Sequence, residues 1–195
     1  MCPTGIVILA AGESKRLGQP KQLLPYQGSS LIRRITLIAV QVVHEPVVVV
    51  LGAHASNIRR QIDDIPVHIR NNPDWANGIA SSIREGLMSL VEISPATEAA
   101  IFCVCDQPHI SRGLFSSMIS VREKTHKSIV ACAYNNALGT PVLFSQEHFS
   151  EILKLKNNEG ARSIIQNHPR AVESVSFPLG SVDIDTLWDY ATLPL

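Results

Sequence analysis

Long apolar runs are missing from this 195-residue chain, and no stretch approaches the roughly 20 residues needed to cross a bilayer. The greasiest stretch, residues 35–43, runs straight into His44 and Glu45 and so reads as a helix of a soluble domain. Cysteine is scarce: Cys2, Cys103, Cys105 and Cys132 are too few and too irregularly spaced for a disulfide framework, which points to reduced thiols. Net charge is missing too. Seventeen Lys and Arg balance seventeen Asp and Glu, which excludes a general nucleic-acid binder needing surplus cations to displace counterions. The apolar stretch 1–12 holds no basic residue, so a secretory leader is not expected and a cytoplasmic location is. HExxH, HxH and Gly-x-Ser-x-Gly are also absent, which removes the anchors for zinc-protease and serine-hydrolase chemistry. Cys103-x-Cys105 places two thiols on one strand face, but no nearby Cys or His pair completes a zinc set, so these are expected to be core residues.

What is present is core material. Hydrophobic residues make up 45% and charged ones 17%, enough for a packed interior and too little charge for disorder. Continuous apolar runs at 5–9 (GIVIL), 47–51 (VVVVL) and 99–105 (AAIFCVC) read as strands buried on both faces. Shorter strands are expected at 67–70, 129–134 and 173–177, with 140–144 pairing antiparallel near the sheet edge. Between them lie helical stretches at 31–42 (capped by Ser30), 57–62, 81–91, 111–124, 147–155, 160–167 and 186–191. The alternation predicts a single three-layer α/β/α domain over 1–195 around a mostly parallel sheet.

Such sheets bind ligands beyond the carboxyl ends of their strands. The loop after the first strand is built for that: Leu9, Ala10, Ala11 and Gly12 lead into Glu13, Ser14, Lys15, Arg16, Leu17, Gly18, Gln19, Pro20 and Lys21. Small residues let a ligand approach backbone N–H groups, and the cations can neutralise a polyphosphate. The spacing is neither a P-loop nor the dinucleotide fingerprint, and a βα turn with solvated cations would read the same way.

The string LAAGESKRLGQPKQLLP (9–25) resembles the signature of Rossmann-like nucleotidyltransferases: Ala-Ala-Gly, a variable stretch, Arg-Met-Gly, then Pro-Lys. Five further segments, in order, are similar to the molybdenum cofactor cytidylyltransferase branch. They are 72–83 (NPDWANGIASSI), 105–108 (CDQP), 139–144 (GTPVLF), 159–162 (EGAR) and 183–186 (DIDT). The sequence departs at Leu17, at Asn157-Asn158 and at Leu187, where the family has methionine, Gly-Asp and proline. The resemblance implies transfer of CMP from CTP to the phosphate of a molybdopterin-type acceptor, with release of pyrophosphate and a Mg2+ cofactor. It also implies delivery of the product to a molybdenum hydroxylase apoenzyme. Alternatives are a guanylyltransferase, a sugar- or alditol-phosphate nucleotidyltransferase, and a non-catalytic cofactor-delivery chaperone.

The expected roles follow. Asp106, directly after an apolar strand, is the expected metal ligand and catalytic carboxylate, since magnesium takes one or two carboxylates with water and phosphate completing its shell. Asp185 is the second ligand by resemblance, with Asp183 open between function and a solvated loop. Lys21 is expected at the α-phosphate and leaving group and Arg16 at the β- and γ-phosphates, with Lys15 solvated. Ala10, Ala11 and Gly12 offer backbone to the base, Gly52 follows the second apolar strand, and Gly78, Ser81 and Ser82 are placed near base and ribose by resemblance. Simple capping would explain the two serines as well. Trp75 could wall the site or pin a loop, Trp188 is expected to pack the C-terminal segment, and His54 and His109 are expected to serve as surface or capping groups.

Overall fold

A computed structural model describes residues 3–43, 46–157 and 159–193; Cys2, His44, Glu45 and Asn158 lie outside the described residues. The chain begins with β1 (Thr4–Ala10), a small hairpin of β2 (Pro25–Tyr26) and β3 (Ser29–Ser30), α1 (Leu31–Val40) and β4 (Val47–Leu51). Next come α2 (Ala55–Arg59), β5 (His68–Asn71), α3 (Ile79–Ile93), β6 (Ala99–Val104), α4 (Arg112–Thr125) and β7 (Ile129–Tyr134). The last elements are β8 (Ala137–Ser145), α5 (Phe149–Ile152), α6 (Ala161–Asn167), β9 (Val172–Ser176) and α7 (Leu187–Ala191).

The main sheet has the order β5-β4-β1-β6-β8-β7-β9, and only β8 runs against its neighbours. Because side chains alternate along a strand, β1 sends Ile6 and Ile8 to one face and Val7 and Leu9 to the other. Ile32 and Ile35 of α1, Ile58 of α2 and Phe115 and Met118 of α4 close the first face. Ile83 and Leu87 of α3, Ile152 of α5 and Ile164 of α6 close the second. The result is the three-layer α/β arrangement read from the sequence. Ser30 caps α1 as expected, accepting from the Arg33 N–H at 3.4 Å.

Two expectations are corrected. β8 is antiparallel but lies inside the sheet, between β6 and β7, not near its edge. Its Pro141 has no N–H for a ladder, and the register passes from Ala131↔Val142 to Cys132↔Gly139, so Thr140 and Pro141 sit in a bulge. The second correction is Trp188, which does not pack the C-terminal segment: it is 74% exposed on the five-residue α7. We expect Trp188→Ala to shift stability by no more than about 0.5 kcal/mol, read from a denaturant melt.

A third apolar cluster anchors the C-terminal segment. Leu17 from the loop after β1, Tyr26 and Leu31 meet Ile184 and Leu193 from the C-terminal segment. Ile184 is fully buried and its N–H donates to the Asp106 carbonyl at 3.1 Å. That anchor brings the neighbouring Asp185 to the end of β6.

Candidate active site

A cleft of about 430 Å³ opens at the carboxyl ends of β1 and β6. Leu9, Ala10, Ala11, Gly12, Lys21, Gly78, Ser82 and Asp106 line it, joined by Trp75, Cys105 and the side of Ile79. Of the residues singled out in the sequence, Arg16, Gly18, Gly52, Ser81 and Asp185 stand outside its lining.

Hydrogen bonds fix the loop that forms the floor. Gln22 is buried, and its amide Nε2 donates to the carbonyls of Ala10 (3.0 Å) and Gly12 (2.8 Å). The Lys21 N–H donates to Ser14 Oγ at 3.1 Å, and the Ala53 N–H to the Ala11 carbonyl at 3.0 Å. Gln22 was not singled out in the sequence, where an amide beside a lysine looks like any polar loop residue. Gly52 acts by close approach: a Cβ there would stand 2.6 Å from Trp75 and 2.8 Å from the Ala11 carbonyl. It braces the wall rather than facing a ligand. Gly18, with φ +74°, shapes the turn before Pro20.

Gly12 differs. Its φ is not positive, and a Cβ would meet nothing within 4 Å. Neither backbone nor packing calls for glycine, and a side chain there would take up open space at the cleft. We expect Gly12→Ala to melt like the parent while raising the KM of the substrate that occupies this cleft roughly tenfold, a cost of about 1.4 kcal/mol in binding. Steady-state kinetics beside a thermal melt separates the two effects.

The serine segment divides. Gly78, with φ +106° and ψ 170°, is the cap position of α3, a conformation that side chains disfavour. Ser81 donates to the carbonyls of Asp74 (3.0 Å) and Gly78 (2.8 Å), so its hydroxyl is spent on the turn. Buried Asn72 donates Nδ2 to Ser81 Oγ (2.9 Å) and Ser82 Oγ (3.0 Å), leaving the Ser82 hydroxyl proton available on the cleft wall. Trp75 both lines the cleft and pins its loop against Gly52.

The charged centre joins three distant parts of the chain. The Lys21 ammonium hydrogen-bonds Asp106 Oδ2 and, at 2.9 Å, Asp185 Oδ1. Arg16 Nη2 holds the other Asp185 oxygen at 2.5 Å, with most of its side chain in solvent. Burial pulls the Lys21 pKa down, but the charge and hydrogen bond of Asp106 and the bond to Asp185 outweigh it and raise it above the usual lysine value. Burial likewise pushes the Asp185 carboxyl up, and Lys21 with Arg16 brings it below its usual range. Asp183, exposed near Asp106, has its carboxyl raised by partial desolvation first and the Asp106 charge second. Cys105 at the cleft is pushed up to about 12 by burial and the Asp106 charge, against the opposing Lys21 charge, so it stays a thiol at neutral pH. Cys103 is buried in the core. His54 begins α2 in a left-handed conformation and His109 packs edge-on against Tyr26; neither lines the cleft.

One atom of this centre has no partner. Asp106 Oδ1 is buried and receives no hydrogen bond, while Oδ2 is occupied by Lys21. A bare buried carboxylate oxygen is costly unless a cation or donor reaches it. Two convergent carboxylates with one oxygen to spare suit a hard divalent cation, which prefers oxygen ligands and completes its shell with water and phosphate. Asp106 and Val104 also line a second cleft, of about 350 Å³, with Gln107, Tyr134, Thr140, Gly180 and Asp183. Gln107 holds its rim together, donating to the Gly180 carbonyl at 2.7 Å and that of Thr140 at 3.2 Å.

The MobA-like NTP transferase domain family matches residues 6–172, and the chain belongs to that family of nucleotidyltransferases. Nicotine blue oxidoreductase of Paenarthrobacter nicotinovorans is 30% identical over 95% of this chain and 93% of its own length. The molybdenum cofactor cytidylyltransferase of Escherichia coli K12 is 24% identical over 95% and 93%. Among solved structures, Rv0371c of Mycobacterium tuberculosis aligns over 97% of this chain and 96% of its own at 28% identity, with a TM-score of 0.82. The manganese complex of Rv0371c aligns over 96% and 95% at 26% identity, with a TM-score of 0.76.

Proposed function

We propose that this chain transfers the cytidylyl group of CTP to the phosphate of a molybdopterin-type acceptor and releases pyrophosphate. The observation that carries the reading is the shared wall: Asp106 and Val104 line both clefts, so two substrates can meet across one carboxylate. In this reading the triphosphate occupies the cleft at the β1 loop and the acceptor the cleft beside Asp183. An oxygen of the acceptor phosphate bonds to the α-phosphorus, the bond to the bridging α–β oxygen breaks, and pyrophosphate carries off the electron pair. The nucleophile is already an anion, so no strong base is needed, and positioning with charge stabilisation supplies the catalysis.

Lys21 lines the first cleft and bonds Asp106, the carboxylate common to both, and in this reading it stabilises charge on the α-phosphate and leaving group; Arg16, reaching into solvent, meets the outer phosphates. Asp106 and Asp185 would hold a magnesium ion, which would supply positive charge across the reacting phosphates. The manganese complex of Rv0371c supports a divalent site in a relative. The cytidylyl assignment rests on the named Escherichia coli relative and the six shared segments.

The test is pyrophosphate release with CTP, GTP, ATP and UTP in turn, with magnesium and the pterin acceptor present. Release confined to CTP is the expected result. A GTP preference would make the chain a guanylyltransferase. The relative named as an oxidoreductase gives the test a further arm. No release with any nucleotide, together with reduction of a dye by an added electron donor, would overturn the transferase reading.

A further inference from the structure

We propose that His148, Glu151 and His168 form a zinc-class divalent metal site that ties α5 to the end of α6. None of the three lines either cleft. His148 ends the 3-10 turn Gln146–His148 and leads into α5, Glu151 follows one turn later, and His168 is the residue after α6. One donor atom from each lies within 4.8 Å of the other two.

The three donors converge closely enough for one ion to take them all with small shifts. His148 is buried, and its Nε2 is 2.9 Å from Ser128 Oγ. With that nitrogen donating to the hydroxyl, Nδ1 keeps a lone pair, and it lies 4.0 Å from Glu151 Oε2. This is too long for a hydrogen bond and close to the ~3.4 Å that separates two ligands of one tetrahedral zinc ion. His168 Nε2 hydrogen-bonds the same Oε2 at 2.7 Å, and a bound ion would take the place of that proton as the two atoms part by about 0.7 Å. Ser128 thus plays the part that outer hydrogen-bond partners play in metal sites, fixing the ring and its tautomer. Two imidazoles and one carboxylate suit zinc and its borderline analogues, whereas magnesium demands oxygen ligands. Glu151 and His168 are each about a third exposed at 35% and 38%, which leaves a coordination position for water.

The experiment uses tag-free, chelator-stripped full chain titrated with zinc in a calorimeter. Because the carboxylates at the clefts also attract divalent ions, the titration is repeated in the Asp106→Asn, Asp185→Asn double variant. One zinc per chain should persist there and raise the melting temperature. His168→Gln and Glu151→Gln, at partly exposed positions, should each weaken binding by at least tenfold while the metal-free protein melts as before. Ser128→Ala should weaken it roughly tenfold, within the usual range for an outer-shell partner. Absence of zinc binding in the double variant, or binding unchanged by His168→Gln, overturns the site. Because its readouts are zinc affinity and melting, its failure is distinct from failure of the nucleotidyl-transfer reading.

Discussion

Asp106→Asn is expected to lower turnover by about 10³ at saturating nucleotide and magnesium, with the fold intact. The asparagine keeps the shape and one acceptor for the Lys21 ammonium, and the Ile184 N–H still reaches the residue's backbone carbonyl. What disappears is the carboxylate charge at the wall common to both clefts, together with the buried Oδ1 that has no protein partner. If that oxygen serves a cation, raising the magnesium concentration will not restore the rate. Nucleotide bound through the loop after β1 will still be seen in a metal-free titration. Activity within a few-fold of the parent would remove Asp106 from the metal and from the chemistry. A collapsed melt would return it to a structural role.

How much of this was legible follows from the range of the signals. The strands β1, β4 and β6 announce themselves as unbroken apolar runs because burial on both faces leaves no polar alternation, and Asp106 is found by standing at the end of one. The three-layer architecture follows from such runs alternating with helical periods. β8 was misplaced because Gly139 and Pro141 make it look like a broken edge strand; the bulge opposite Ala131 and Cys132 that accommodates the proline is a property of the pair, not of one segment. Two left-handed turns, Gln27-Gly28 and Asn135-Asn136, carried local hairpin signals that went unread. Lys21, Asp106 and Asp185 are separated by 85 and 164 positions when counted from the lysine, so no spacing rule joins them. The burial of Ile184 against the Leu17 cluster and its N–H bond to the Asp106 carbonyl set Asp185 beside Lys21, and an isoleucine in a loop does not advertise that. Gln22 was missed for the same reason: its amide matters through two carbonyls ten and twelve residues back. Trp188 errs in the opposite direction, since a large aromatic is ordinarily core and α7 is too short to bury it.

Lys21→Met is expected to separate charge stabilisation from mere packing. The methionine retains the apolar stem but leaves Asp106 and Asp185 facing each other without the ammonium that now bonds both. Removing one partner of a partly buried pair should cost about 2 kcal/mol of stability, less than a fully buried pair would. In the parent, burial opposes ionisation of Asp185, but Lys21 and Arg16 depress its pKa. A depressed carboxyl stabilises the fold above its ordinary range near 4, and that contribution is lost as pH falls through the lowered value. In the variant the depression shrinks, so the acid limb of the melting profile should move to higher pH. A divalent cation can replace the missing charge between two carboxylates but does not restore the lysine's own hydrogen bonds to the leaving phosphates. Magnesium should therefore raise the melting temperature of Lys21→Met more than that of the parent, while turnover stays down by on the order of 10². Recovery of turnover along with stability would make Lys21 a spacer between carboxylates, and an unchanged response to magnesium would place the metal elsewhere.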